Sequence, residues 1–203
     1  KKAVGFKRAF KFPILVSRST KIKLKGNIEI KCDKIFFGMI KIGEKPLAPI
    51  LENKRTFLIL EKNSKFIFSA YNCFSQGCII HCEENAKIVF GEKFWANVNC
   101  VIWTDSLIEI GKNVLLGWNV YLRNFDGHKI YVNNEIINKS QPLYVSDHVW
   151  FCSNSSVIKG VKIDKNCVIG YGSLITKDLL GENNIFAGNP AKKIKDNVEW
   201  VLY

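Results

Sequence analysis

The sequence predicts an all-β chain wound as a parallel solenoid of triangular cross-section, and three observations predict it. From Val145 an aliphatic or aromatic residue recurs at every sixth position: Val145, Phe151, Val157, Ile163, Ile169 and Ile175. A small or β-branched residue follows most of these four places later, at Val149, Ser155, Val161, Cys167 and Ser173. The same two registers return upstream in shorter ladders. A period of six fits neither a helix, which repeats near 3.6, nor one long strand, which repeats at two. It fits short strands separated by corners, three to a turn, stacked so that like side chains lie above like in one continuous core.

The elements follow in chain order. Residues 1–23 form a basic lead-in; Lys1 to Lys25 carry Lys1, Lys2, Lys7, Arg8, Lys11, Arg18, Lys21, Lys23 and Lys25 and no acidic side chain. The solenoid is expected over 24–194. It opens with a fainter ladder, Leu24, Ile30, Phe36 and Ile42, and continues with Phe68, Phe74 and Ile80 beside Cys78. Phe90, Ala96 and Ile102 follow with Phe94 and Cys100, then Ile110, Leu116 and Leu122 with Val114 and Val120. Wider gaps from Ile80 to Phe90 and from Ile102 to Ile110 predict extra residues bulging at corners. The interruption over 123–144 is long and polar, which makes it an excursion loop, and loops on a rigid scaffold are where chemistry concentrates. Residues 195–203 are a short tail.

Composition narrows the function classes. The chain has 203 residues, a formal charge of +12 and 47% hydrophobic content, a foldable balance rather than that of a disordered chain. It has neither a run of about 18 apolar residues nor the pattern of a secretory leader, so a cytoplasmic location is expected. Seven cysteines without a Cys-x-x-Cys pair suggest neither a disulfide framework nor a zinc ribbon. Cys78, Cys100 and Cys167 fall in the small-residue register and read as compact core side chains. His81, His128 and His148, 47 and 20 residues apart, lie in different registers and argue against a zinc site. Charge alone gives no nucleic-acid motif. The basic amino end suits an anionic membrane surface, or a cap on the first coil.

Val145 to Val168 (VSDHVWFCSNSSVIKGVKIDKNCV), then IGYGSLITKD, then AGNPAKKI at Ala187 to Ile194, resemble the left-handed β-helix hexapeptide-repeat acyltransferases, in their sugar O-acetyltransferase branch. The resemblance covers roughly Phe68 to Ile194 and supplies the left hand, since parallel crossovers are otherwise right-handed. It implies acetyl coenzyme A as donor, a carbohydrate acceptor, no metal and a homotrimer whose sites lie between subunits. His128, in Asn124-Phe125-Asp126-Gly127-His128, matches the family's loop histidine, the general base that a protonated alcohol requires at neutral pH. Trp95-Ala96-Asn97-Val98-Asn99 and the later Asp105 resemble the acceptor-binding segment, which implies sugar contacts by Asn97 and Asp105. Trp150-Phe151-Cys152-Ser153 stands where the family has Trp-Ile-Gly and a small residue; Trp150 is then counted with the acceptor site and the Ser153 N–H with the oxyanion, with Cys152 in place of the glycine. Ser173 matches a position beside the pantetheine arm, and Lys192 and Lys193 the phosphate end of the donor. Glu135 falls where some relatives hold an acidic residue that orients the histidine. The resemblance implies an acetyl-coenzyme-A-dependent O-acetyltransferase of a capsular or O-antigen polysaccharide or its precursor; an amino-sugar N-acetyltransferase and a noncatalytic scaffold are the alternatives.

Overall fold

The computed structural model describes residues 10–45 and 54–201, so Lys1, Lys2, Lys7 and Arg8 of the basic segment lie outside the described residues. The chain winds in coils of three strands. Coil 1 holds β1 (Ile14–Val16), β2 (Lys21–Leu24) and β3 (Asn27–Ile30); coil 2 holds β4 (Ile40–Glu44), β5 (Phe57–Leu60) and β6 (Lys65–Phe68). Coil 3 is β7 (Asn72–Ser75), β8 (Ile79–Cys82) and β9 (Lys87–Phe90), and coil 4 is β10 (Phe94–Ala96), β11 (Val101–Thr104) and β12 (Leu107–Ile110). Coil 5 runs through β13 (Leu115–Leu116) and β14 (Tyr121–Arg123), leaves in a loop bearing the hairpin β15 (Tyr131–Val132) and β16 (Glu135–Ile136), and returns as β17 (Leu143–Val145). Coil 6 is β18 (Trp150–Phe151), β19 (Ser156–Val157) and β20 (Lys162–Ile163). Coil 7 has β21 (Val168–Ile169), β22 (Leu174–Ile175) and a bridge from Leu179 to Ile163, before the closing pair β23 (Ile185–Gly188) and β24 (Ala191–Lys195).

Strands of one rank pair in parallel and form three walls: A from β1, B from β2 and C from β3 upward. The repeating residues of the sequence are the inward ones, and Phe74, Ala96, Leu116, Phe151 and Ile169 stack in register up wall A, all buried. The residues added in the wider gaps lengthen strands as well as corners. β8 and β9 each point two side chains inward, Ile80 and Cys82, then Ile88 and Phe90. Such coils enclose more volume, and phenylalanines fill it: Phe68 stacks on Phe90 at 5.1 Å, and Phe74 meets Phe90 edge-on at 5.0 Å. Each buried ring contributes about 1.5–3 kcal/mol. In coils 6 and 7 the strands of the three walls shorten to two residues, and Phe151, Val157, Ile163, Ile169 and Ile175 face inward.

The amino end departs from the expected ladder. Phe36 is 44% exposed and belongs to no wall, and after Ile30 the core continues through Ile35, Met39 and Ile40. β1 and β2 already pair with β4 and β5, so the first coil starts at Ile14, inside the span expected to be lead-in. Leu24 points inward opposite Leu60 yet stays exposed, because coil 1 has no described coil beneath it. At the other end the tail folds back, and Trp200 stacks on His148 at 4.2 Å and donates its Nε1 proton to the His148 carbonyl. Among the described residues no helix is long and apolar enough to cross a membrane.

Cys78, Cys100 and Cys167 are core side chains as expected, joined there by Cys82, with Cys73 buried under the outer face of wall A. Burial pushes the Cys73 thiol up to about 11 and the Cys82 thiol to about 12, far from the thiolate that reacts. Thiol titration of the native protein at pH 8 should therefore modify Cys32 first and half-buried Cys152 slowly, and reach the other five only after denaturant is added. Rapid native labelling of any of those five would contradict the described core.

Candidate active site

The corner from wall A to wall B carries one set of the expected residues. Coils stack there through a column of left-handed asparagines: Asn99 donates its side-chain amide to Asn119 at 3.1 Å, and Asn119 to Asn154 at 2.9 Å. Asparagine tolerates this backbone better than most residues, so Asn99 serves the corner. The ladder holds Ser153 beside Asn154, and Trp118 N–H donates to Ser153 Oγ at 3.0 Å. Gly117 lies over the Ser153 N–H; a Cβ at Gly117 would sit 2.7 Å from that nitrogen. Cys152 is accommodated in the column, its N–H bonded to the Ile169 carbonyl. Two coils toward the amino end, Asn97 donates its amide to Leu116 O at 3.0 Å. One coil toward the carboxyl end, Ser173 is buried and its Oγ accepts the Gly188 N–H at 3.1 Å. That bond holds the Gly188–Ala191 turn, which bears exposed Lys192 and Lys193. Lys193 also pairs with Asp196 at 3.7 Å.

The corner from wall B to wall C carries the other set. Asn124 is fully buried, bonded to Ser106 and Leu107 O and accepting Asp105 N–H at 3.3 Å, which pins the root of the loop to coil 4. Ser140 Oγ donates to Asp105 Oδ2 at the returning end, while Asp105 Oδ1 is buried without a partner. Within the loop, Asn138 donates to the His128 carbonyl at 2.7 Å and to Asp126 Oδ2 at 2.9 Å and accepts the Ile130 N–H at 2.7 Å. Asp126 forms an ion pair with Lys159 of coil 6, and that hydrogen bond is the main reason its carboxyl is held below the ordinary value. His128 thus projects, exposed, from a backbone fixed at both sides. Glu135 pairs with Val132 across the hairpin, and Asn138 is the side chain that reaches the His128 backbone.

Within one chain the structure does not bring His128 and Ser153 together. They stand on opposite edges of wall B, separated by β14 and β19. Asn97 lies on the Ser153 edge and Asp105 on the His128 edge, and Trp150 faces outward from wall A toward Trp200, with ring centroids 6.0 Å apart. The other two histidines are elsewhere, His148 under Trp200 and His81 stacked on Trp103 at 4.9 Å. Sequence reasoning missed Trp118 and Tyr171, 38% and 73% exposed on the Ser153 edge, and Arg123, whose Cζ lies 4.8 Å from the Trp103 ring and 4.1 Å from the Phe125 ring. Their signal was position: large side chains at outward or corner sites, where the inward ladder does not account for them.

No protein-family model matches the chain. A Saccharomyces cerevisiae protein named "putative acetyltransferase" is 34% identical over 163 residues, 79% of this chain and 80% of that protein. The galactoside O-acetyltransferase of Escherichia coli K12 is 36% identical over 121 residues, 58% of each chain. The crystal structure of a polysialic acid O-acetyltransferase superposes with a TM-score of 0.61 over 94% of this chain and 87% of the other, at 22% identity, which is a likeness of fold. Parallel three-walled coils and this similarity together show that the chain belongs to the left-handed β-helix hexapeptide-repeat acetyltransferases.

Proposed function

We propose that the protein transfers acetyl from acetyl coenzyme A to a hydroxyl of a cell-surface polysaccharide or its precursor, with His128 as general base. The observation that carries this reading is the division of the site between two edges of one wall. An exposed imidazole stands on one edge, and a corner built around the Ser153 N–H stands on the other. Two copies side by side complete the site, which supports a homotrimer closing on itself. The donor would lie along the edge from Asn97 past Ser153 to Lys192 and Lys193, whose charges suit its phosphates. His128 of one subunit removes the proton as the acceptor oxygen attacks the thioester carbon. The Ser153 N–H of the neighbour donates to the developing oxyanion, a contribution worth about 3 kcal/mol in comparable sites. The thiolate then leaves and takes the proton back from the imidazolium. The galactoside O-acetyltransferase relative supports a hydroxyl acceptor over an amine.

His128→Ala should lower kcat at least ~100-fold and leave the Kd for acetyl coenzyme A nearly unchanged. Normal turnover by this variant would remove His128 from the mechanism. Matched hydroxy and amino sugars provide the second measurement, and faster transfer to the amine would reassign the acceptor atom.

A peripheral location at an anionic membrane face is supported by the side chains exposed near coil 1 among the described residues. Phe10, Phe12 and Phe37 are 64%, 60% and 69% exposed among Lys11, Arg18 and Lys34, an apolar and cationic mixture that such a surface attracts. Binding to vesicles rich in anionic lipid should fall steeply as salt rises, because the attraction is screened within about 8 Å at physiological ionic strength. Absence of binding even at low salt would leave these residues the role of an end cap.

A further inference from the structure

The outer face of wall B carries a stack that the reaction outlined above does not use. His81, Trp103 and Arg123 are register partners in coils 3, 4 and 5. The His81 and Trp103 rings stack at 4.9 Å with 18° between planes, and the Arg123 guanidinium packs into the angle between Trp103 and Phe125, whose rings meet edge to face at 5.5 Å. Trp103 Nε1 donates to Glu83 at 2.8 Å, and Glu83 also faces His81 at 3.6 Å. The one carboxylate bonded to the stack is therefore engaged at the His81 end.

Arg123 is left without an ion pair among the described residues. Its side-chain hydrogen bond is a long one, from Nη1 to the Tyr121 hydroxyl at 3.4 Å, and its Nε is buried without a partner. Asp126, three residues away, would satisfy it, but that carboxylate is taken by Lys159 and Asn138. The guanidinium edge instead rests on Gly127, where a Cβ would approach Nη2 to 2.6 Å, one residue from His128. A half-buried cation packed against two rings and denied its nearest carboxylate is costly for the fold alone. Its planar fork matches the two oxygens of a carboxylate, and neighbouring aromatic edges suit a sugar ring.

We infer that Arg123 forms an anion subsite beside the base and that the acceptor is a carboxylated sugar, whose carboxylate it holds while a nearby hydroxyl meets His128. The inference rests on the sugar O-acetyltransferase reading and narrows its substrate class. Arg123 would be a specificity-determining residue rather than part of the proton relay.

The test uses the full-length protein with an oligosaccharide of uronic or sialic acid and with its carboxyl-reduced counterpart, and compares wild type, Arg123→Gln and Arg123→Lys. Wild type should prefer the acidic acceptor. Arg123→Gln should raise the KM for that acceptor at least ~20-fold, with kcat within about 3-fold, and should change the KM for the reduced acceptor by less than about 2-fold; Arg123→Lys, which keeps charge but not the fork, should fall between. Light scattering should show unchanged assembly. Equal loss on both acceptors with assembly intact would make Arg123 a support of the loop, and dissociation would mean that it pairs with a carboxylate of the neighbouring subunit; either result overturns the inference. Wild type that acetylates both acceptors equally well also overturns it while the sugar reading stands, whereas acetylation of neither overturns both.

Discussion

Parallel backbone pairing from coil to coil is the constraint on which the rest of this molecule depends. Strands in register about 4.8 Å apart place every side chain directly above its counterpart. A residue is therefore judged by its column as much as by its neighbours in sequence. Inward columns must be apolar and of matching size, which is why phenylalanines gather in coils 2 to 4 and mostly aliphatic residues, with Phe151 among them, fill coils 5 to 7. Corner columns must turn sharply, which is why asparagines in the left-handed region stack from Asn99 through Asn119 to Asn154.

The same constraint shapes the candidate site. A corner that repeats in every coil makes a long straight edge, suited to an extended donor, and Gly117 and Gly170 keep it close-packed where a side chain would collide with the neighbouring coil. Chemistry that needs a mobile or projecting group cannot arise within the repeat, so the chain breaks it once. The break is secured by polar bonds rather than by core packing: Asn124 and Ser140 at its roots, Asn138 and the Asp126–Lys159 pair within. In the proposed mechanism the loop leaves at one corner and the donor binds at another, so that a single chain would hold two half-sites.

What the sequence made legible follows from this geometry. The inward ladder from Val145 to Ile175 could be read because coils 6 and 7 have nearly constant length. The loop at His128 was legible as the place where the ladder stops. Phe36 misled because an apolar residue at the right spacing does not say whether the chain there is in a wall, and β1 was hidden because its coil is separated from the next by an irregular stretch. Ser173 and Glu135 were placed by resemblance; in the structure the Ser173 hydroxyl accepts the Gly188 N–H and Glu135 lies across the hairpin from Val132. Arg123 could not be read, since its environment is assembled from Trp103 in the preceding coil and Phe125 beyond the strand end.

The central claim is that a working site takes its base from one subunit and its donor edge from another. Subunit mixing tests it most directly, using His128→Ala and Gly117→Ala, the second crowding the Ser153 N–H. Each variant alone should be strongly impaired, and trimers assembled from both should regain activity, because some interfaces then join an intact loop to an intact edge. Mixed trimers that are confirmed by native mass spectrometry and yet remain as inactive as either parent would contradict the account.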